Sequence, residues 1–266
     1  MINLSETLEQ VKDIALRVGT MQKENLGKGN LTIDIKSTSI DLVTEIDKKS
    51  EQIIIDFIKK NYPDHSILAE ESGLSATDSE YLWIIDPLDG TTNFAQGLPI
   101  FAVSIALQYK NETVLGVVYS PVLEHLFTAI KGQGAYFNGR KMHVSMKQDL
   151  KQSVLATGFP YDVAENKANN LAYFNHFLLV TRAIRRLGAA AYDVACVAAG
   201  TFDGYWEMKL SPWDVAAAIL MVEEAGGTIV HFRKDRGISI IAANAVLCEK
   251  IHKEITSIDK SRPTSK

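Results

Sequence analysis

The sequence predicts an α+β fold for the first half of the chain and an α/β fold for the second. Between residues 101 and 137, four apolar runs with alternating side chains are separated or followed by turn residues, which is typical of an antiparallel meander. Beyond residue 152, strand-like and helix-like segments alternate along the chain, including a helix predicted over 165–180, which indicates α/β structure. Because a polar segment at 146–152 separates the two patterns, we expect two halves, 1–148 and 149–266.

Composition narrows the functional class. The 266 residues are 46% hydrophobic and 23% charged, enough to bury a sizeable core as one large domain or two packed halves. The net charge is −4 and no basic block is present, which argues against nucleic-acid or membrane partners. No apolar run approaches the roughly 20 residues that span a bilayer, and the first residues show no leader. We therefore expect a cytoplasmic enzyme with small-molecule partners.

The first elements follow from periodicity and capping residues. Apolar residues recur at helical spacing over residues 4–21, and Asn3 with Glu6 can form a capping box at its start. Residues 31–35 alternate as a strand that leads into a polar loop, 36–39, a candidate mobile flap. Asp47 lies at the start of a second helix, where capping is the ordinary role of aspartate.

Residues 83–94 carry the strongest functional pattern. Residues 83–85 predict a buried strand that ends at Pro87, where Asp86 leaves the sheet. Asp86 and Asp89 can then converge on one point, where two like charges need a cation or a shared proton. Oxygen ligands with no nearby His or Cys favour Mg²⁺. The amides of Gly90 and Thr91 would open a short helix and bind phosphate, although a turn with simple capping residues fits the same stretch.

Two further segments bring carboxylates to element ends. Residues 66–69 predict a strand that delivers Glu70 and Glu71, followed by a polar loop at 73–80. Asp214 follows Ser211 and Pro212 in a capping pattern, so it could ligate a metal or simply interact with the helix dipole.

Residues 69–72, 83–94 and 212–217 together resemble the three signatures of the inositol monophosphatase family, which are Mg²⁺-dependent, lithium-sensitive phosphomonoesterases. The resemblance extends from about residue 4 to residue 255. It implies a layered α-β-α-β-α sandwich, with an antiparallel sheet in the first half and a mixed sheet in the second. It also implies a homodimer and two or three Mg²⁺ ions in each active site.

The resemblance also assigns site residues. It implies metal ligation by the side chains of Glu70, Asp86, Asp89 and Asp214 and the carbonyl of Leu88. It implies substrate contacts from Gly90, Thr91, Ala190, Glu207 and Asp214. Asp47, Thr91 and Glu70 are the implied catalytic residues, with Asp47 and Thr91 orienting the attacking water and accepting its proton.

The resemblance implies hydrolysis of a small phosphorylated polyol, with inositol 1-phosphate as the first candidate, by direct attack of a metal-activated water. Other family substrates are NADP, 3′-phosphonucleotides and fructose 1,6-bisphosphate, and the metal core alone does not separate them. An aspartyl-phosphate phosphatase is a weaker alternative, because Asp86 and Asp89 are spaced one residue wider than its Asp-x-Asp-Gly-Thr motif. A non-catalytic regulatory binding protein is the third reading.

Overall fold

The computed structural model describes residues 2–28, 32–35 and 42–261. The helices of these residues are α1 (Leu4–Asn25), α2 (Glu45–Asn61), α3 (Thr91–Ala95), α4 (Leu171–Val180), α5 (Ala190–Ala198), α6 (Pro212–Glu224) and α7 (Ala245–Ser261). None of these helices is both long enough and apolar enough to cross a lipid bilayer. The predicted flap at 36–39 lies outside the described residues.

The strands form one small pair and two larger sheets. The pair is β1 (Ile33–Ile35) and β2 (Leu42–Thr44). The first sheet contains β3 (Ser66–Ala69), β4 (Gly73–Ser75), β5 (Tyr81–Asp89), β6 (Ala102–Tyr109), β7 (Glu112–Ser120), β8 (His125–Ile130), β9 (Gly134–Phe137) and β10 (Arg140–Lys141). The second sheet contains β11 (Val154–Thr157), β12 (Ala183–Arg185), β13 (Gly204–Leu210), β14 (Thr228–Arg233) and β15 (Ile238–Ala243).

Helix α1 begins at the predicted residue and continues four residues beyond the predicted end at residue 21. The side chain of Asn3 accepts a hydrogen bond from the Glu6 amide at 3.3 Å, which is one bond of the expected capping box. Val11, Ile14 and Val18 form the buried stripe of this helix, and their spacing keeps them on one face.

The first sheet has the order β10-β9-β8-β7-β6-β5-β3-β4, and β6 to β10 form the expected antiparallel meander. One pairing differs, because β3 and β5 run parallel. The prediction of a loop over 73–80 was wrong for Gly73–Ser75, which forms the edge strand β4 against β3. Three residues, of which the first is a glycine at φ +75°, carry no alternating pattern that would have revealed this strand.

Pro87 does not end β5 as predicted. The strand continues to Asp89, and the register against β6 shifts between Asp86 and Asp89. A proline, which has no amide hydrogen to donate, is tolerated in a sheet at such an irregularity. The Pro87 carbonyl instead accepts a hydrogen bond from the buried Gln22 side chain at 2.7 Å.

The second sheet has the order β12-β11-β13-β15-β14 and is mixed, as expected. Strand β11 runs parallel to β12 and β13, whereas β15 pairs antiparallel with β13 and β14. The helix predicted over 165–180 begins only at Leu171. Asn166 and Asn169 explain the shorter helix, because their side chains bond to local backbone groups and compete with helix formation.

The buried apolar residues confirm five layers of helix, sheet, helix, sheet and helix. Trp83 and Ile85 of β5 pack towards α1 and α2, whereas Ile84 between them packs towards α5 and α6. The cluster that contains Ile84, here called the middle cluster, also includes Tyr205 and Ile240 of the second sheet. Helices α4 and α7 cover the other face of that sheet. Because this middle cluster draws on both halves, the division near residue 148 stays a prediction.

Candidate active site

A cavity of about 370 Å³ opens between the end of β5, the start of α5, strand β13 and the start of α6. Nine of the ten predicted site residues line it, namely Glu70, Asp86, Leu88, Asp89, Gly90, Thr91, Ala190, Glu207 and Asp214. The tenth, Asp47, does not line the cavity and lies behind Thr91, to which it is hydrogen-bonded. The folded chain therefore brings together residues that are up to 167 positions apart in the sequence.

Asp86 lies at the centre of the carboxyl groups. It is 2% exposed, and its Oδ1 accepts a hydrogen bond from the Leu88 amide at 3.0 Å. Its carboxyl group is also within hydrogen-bonding reach of Glu70. Burial raises the pKa of Asp86 well above its usual value, and the charges of Glu70, Asp89 and Asp214 raise it further. This crowding is the arrangement in which a shared proton or a cation is needed.

Asp89 connects the end of β5 to the start of α5. Its carboxylate accepts hydrogen bonds from the amides of Ala190 at 3.0 Å, Ala191 at 2.8 Å and Tyr192 at 3.4 Å, at the start of α5. Burial raises the pKa of Asp89 to about 7, although the three amide bonds oppose the shift. Ala190 lines the cavity, but its amide is already engaged with Asp89, so any substrate contact made through that amide would share it.

The donor chemistry fits a hard cation. The four predicted carboxylate ligands and Leu88 line one cavity, and carboxylate and carbonyl oxygens suit Mg²⁺. In the described part of the chain, no three His, Cys, Asp or Glu side chains are already arranged to hold an ion. The Asp214 side chain is held at the start of α6, because its Oδ2 accepts a hydrogen bond from the Ser211 amide at 2.7 Å.

Asp47 and Thr91 form a hydrogen-bonded pair. The Thr91 hydroxyl donates to Oδ1 of Asp47 at 2.8 Å and lies 3.2 Å from the Leu88 carbonyl. The other carboxylate oxygen of Asp47 accepts from the Thr44 amide at 2.9 Å, completing a capping box of α2. Burial raises the pKa of Asp47, while hydrogen bonds from Thr44 and Thr91 oppose the rise.

The two members of this pair differ in their capping roles. Asp47 caps α2, as its position in the sequence suggests. Thr91 is the first residue of α3, where Gly90 at φ +97° is the N-cap and no side chain caps the helix. Capping therefore accounts for the location of Asp47 but not for the Thr91 hydroxyl.

Glu207 of β13 is buried against the far wall of the cavity. The Tyr205 hydroxyl donates a hydrogen bond to its Oε2. Burial raises the pKa of Glu207 to about 7, the Tyr205 bond lowers it, and Asp214 raises it. Gly158 contacts the same carboxylate so closely that a β-carbon there would lie 2.2 Å from Oε2.

Several lining residues were not predicted. They include Gly158, Asp162, Asp193, Arg186 and Lys209. Lys209 forms a salt bridge to Asp162 at 2.9 Å. Asp162 also accepts two bonds from Arg236, at 2.8 and 3.0 Å. These contacts span 47 and 74 residues, so no local sequence pattern could have signalled them.

The layered fold and its carboxylate-lined cavity define an α+β protein with a candidate site for a hard metal ion. The family model for the inositol monophosphatase family matches residues 3–260, and the chain belongs to this family, whose members are generally phosphatases. The chain is 43% identical over 257 residues to Nus factor SuhB of Pasteurella multocida, covering 94% of this chain and 95% of that protein.

Solved structures show the same similarity. Extragenic suppressor protein suhB from Bartonella henselae is 38% identical with a TM-score of 0.89, and the match covers 97% of this chain and 100% of that one. Inositol monophosphatase from Anabaena is also 38% identical, with a TM-score of 0.85 and coverage of 96% and 97%. The five-layered fold is therefore shared with family members that carry different names.

Proposed function

We propose that the protein hydrolyses the phosphate monoester of a small polyol in a Mg²⁺-dependent reaction, with inositol 1-phosphate as the first candidate substrate. The observation that carries this proposal is one cavity that combines three features. These are four carboxyl groups with oxygen-only donor chemistry, the hydrogen-bonded pair Thr91 and Asp47 beside them, and the buried acceptor Glu207 on the far wall. A phosphate ester placed between these groups would contact all three.

The metal ligands of this proposal are Glu70, Asp86, Asp89, Asp214 and the Leu88 carbonyl. Two or three bound Mg²⁺ ions would supply a more acidic water and neutralise charge on the phosphoryl group. The repulsion among the buried carboxyl groups supports this assignment, because a cation in the cavity relieves it. Sensitivity to lithium belongs to the same proposal.

The protein's own groups have separate tasks. The Gly90 and Thr91 amides hold the phosphate, and the left-handed conformation of Gly90 at φ +97° positions this turn. The Thr91 hydroxyl orients the attacking water and passes a proton towards Asp47, whose second oxygen Thr44 holds in place. Glu207 accepts hydrogen bonds from the hydroxyls of the leaving alcohol.

A substrate panel tests the proposal. Phosphate release is measured with inositol 1-phosphate, NADP, a 3′-phosphonucleotide and fructose 1,6-bisphosphate, in Mg²⁺, for the wild type and for Asp86→Asn. We expect the highest kcat/KM with inositol 1-phosphate and a loss of all turnover in the variant. A higher kcat/KM with another ester would make that ester the preferred substrate in place of inositol 1-phosphate. No release from any ester would contradict the hydrolase assignment.

A non-catalytic role is the second candidate, and the name of the Pasteurella relative, Nus factor SuhB, favours it. In that case the Asp86→Asn variant would still restore growth to a strain that needs the protein, although it hydrolyses nothing.

A homodimer remains part of the family-based proposal, and three exposed side chains of α4, Leu171, Leu178 and Leu179, offer an apolar surface for it. Light scattering measures the oligomeric state directly. Location in the cytoplasm stays a prediction.

A further inference from the structure

Gln22 is a polar side chain at the end of the apolar stripe of α1. Val11, Ile14 and Val18 precede it on the same buried face, and Gln22 follows Val18 by four residues and is 0% exposed. Burying a side-chain amide costs free energy unless hydrogen bonds replace its contacts with water. The Oε1 atom of Gln22 has no hydrogen-bond partner among the described residues, so packing and local stability alone do not account for a glutamine here.

The amide nitrogen of Gln22, in contrast, has two partners. Nε2 donates to the Pro87 carbonyl at 2.7 Å and to the Ser50 hydroxyl oxygen at 3.1 Å. Ser50 lies three residues after Asp47 on the buried face of α2, and Asp47 is the residue that accepts the bond from Thr91. The Gln22 amide therefore joins α1, α2 and the irregular end of β5 at one buried point.

The end of β5 relies on side chains for its geometry. Its register against β6 shifts within residues 86–89, and Pro87 has no amide hydrogen to donate. The Leu88 amide donates to Oδ1 of Asp86 at 3.0 Å, and Gln22 holds the carbonyl that lies between these two residues in the chain. A rotation of the Pro87 peptide group would displace the Leu88 backbone and the bond that it makes to Asp86.

We propose that Gln22 is a positioning residue for the metal site, which holds the Pro87 peptide group so that Asp86 and Leu88 keep the arrangement that binds Mg²⁺. The inference rests on the proposed Mg²⁺ site and adds to it a residue of α1 that does not line the cavity. Removing a group that orients metal ligands typically weakens metal binding about ten- to a hundredfold. The competing interpretation is that Gln22 only ties α1 to the sheet.

The test is Gln22→Met, measured by calorimetric titration of the full chain with Mg²⁺ alone and by melting curves without metal. Methionine is similarly long and unbranched but donates no hydrogen bond. It also removes the unpaired Oε1 atom, which offsets the donor lost to the Pro87 carbonyl, so the melting temperature should change by less than about 4 °C. We expect the Kd for Mg²⁺ to rise about ten- to a hundredfold. A lower melting temperature with wild-type Mg²⁺ affinity would overturn the proposal.

Gln10→Met is the matched control, because it makes the same change on the same helix. Oε1 of Gln10 accepts a hydrogen bond at 2.7 Å from Tyr62, the C-cap residue of α2, and neither residue lines the cavity. Its Kd for Mg²⁺ should stay within about twofold of the wild-type value.

Val18→Ala controls for lost stability. Val18 is fully buried one turn before Gln22, so its truncation leaves a cavity and should lower the melting temperature while the Kd for Mg²⁺ again stays within about twofold. If the Kd rose as much in Gln10→Met or Val18→Ala as in Gln22→Met, the effect would come from the packing of α1 and the proposal would be wrong.

A second variant leaves Gln22 in place. Ser50→Ala removes the other acceptor of the Gln22 amide, so the amide is held less firmly and the Kd for Mg²⁺ should rise about two- to tenfold. The double variant Gln22→Met/Ser50→Ala should bind Mg²⁺ no more weakly than Gln22→Met, because both changes act through one amide. Losses that add in the double variant would contradict this role of Gln22.

The same titration separates this inference from the proposed function. If the wild type binds no Mg²⁺, the proposed metal site fails and the role of Gln22 fails with it. If the wild type binds Mg²⁺ and releases phosphate from inositol 1-phosphate, while Gln22→Met binds Mg²⁺ equally well, only the role of Gln22 is rejected.

Discussion

The carboxylate of Glu207 lies directly against the α-carbon of Gly158, so that a β-carbon at this glycine would sit 2.2 Å from Oε2 and 2.4 Å from Oε1. Gly158→Ala therefore forces the carboxylate to move. Because the carboxylate ends a flexible side chain, we expect little change in melting temperature but a KM for inositol 1-phosphate raised about ten- to a hundredfold, as for Glu207→Ala. Steady-state kinetics and calorimetry measure the two effects.

The double variant Gly158→Ala/Glu207→Ala provides the control for this prediction. Both changes act through the same carboxylate, so the double variant should lose no more than Glu207→Ala alone. Losses that add would mean that Gly158 acts on the cavity in some other way.

The hydrogen bond from Thr91 to Asp47 gives the second prediction. If the pair orients water and accepts its proton, Thr91→Ala and Asp47→Asn should each lower kcat on the order of 10²–10⁴. The double variant should lose little more, because the two residues act as a unit. Rapid-quench or steady-state kinetics with saturating Mg²⁺ measure these losses.

Stability separates this role from capping. Asp47 belongs to the capping box of α2, so Asp47→Asn should cost about 0.5–2 kcal/mol of unfolding free energy, whereas Thr91→Ala removes no cap and should cost less. Folded variants with near-normal kcat, or kcat losses that add in the double variant, would remove both residues from the mechanism.

The third prediction concerns Asp162, which lines the cavity and forms salt bridges with Arg236 and Lys209. These bonds hold the pKa of Asp162 well below its usual range. Asp162→Asn leaves two cations with less negative charge beside them, so an ester with a second phosphate should bind better. We expect kcat/KM for fructose 1,6-bisphosphate to rise about tenfold relative to inositol 1-phosphate, with a smaller gain at high salt.

Asp235→Asn is the matched control for Asp162. Asp235 pairs with Arg233 at 2.9 Å in the neighbouring turn and does not line the cavity. The control should leave the preference between the two esters as in the wild type. If both variants shift this preference equally, the effect comes from net charge and not from the loss of the Asp162 salt bridges.

The fourth prediction is a pH dependence of stability at His65. Burial lowers the pKa of His65, and the indole of Trp83 donates to its Nδ1 at 3.1 Å, a bond that requires this nitrogen to be unprotonated. A folded pKa below the usual value of about 6.5 means that the unfolded chain binds the proton more tightly. The stabilisation is present above about pH 6.5 and is lost as the pH falls through the folded pKa.

The melting temperature of the wild type should therefore fall more between pH 7.5 and pH 5.5 than that of His65→Gln, whose amide can accept the Trp83 bond at every pH. His125, whose pKa is also lowered by burial, is present in both proteins and does not affect the difference. Parallel melting curves would contradict this assignment.

Much of the architecture was predictable because its signals are local. The meander, the first helix and the α/β alternation each follow from periodicity within a few residues. The strand end at Pro87 was predicted wrongly, because a register shift against β6 absorbs the proline without ending β5. Such a shift depends on the partner strand and cannot be read from residues 83–89 alone.

The candidate site shows the same limit. Asp86, Asp89 and Glu70 follow strand-like runs, so their convergence could be predicted from the sequence. Asp193 appears in the sequence only as an acidic residue within a helical pattern. The salt bridge of Asp162 with Arg236 joins residues 74 positions apart. Gly158 carries no signal either, since its role depends on a carboxylate that reaches it from another strand.

The measurement that tests the account most directly is the rate of phosphate release from inositol 1-phosphate as free Mg²⁺ is raised from zero in a chelator-buffered solution. Because the donors are oxygen atoms only, the account predicts no release at zero Mg²⁺, a saturable rise with Mg²⁺, partial replacement by Mn²⁺ and inhibition by Ca²⁺. Asp214→Asn should shift the rise to higher Mg²⁺ concentration. Release that persists after exhaustive chelation, at a rate independent of added Mg²⁺, would contradict it.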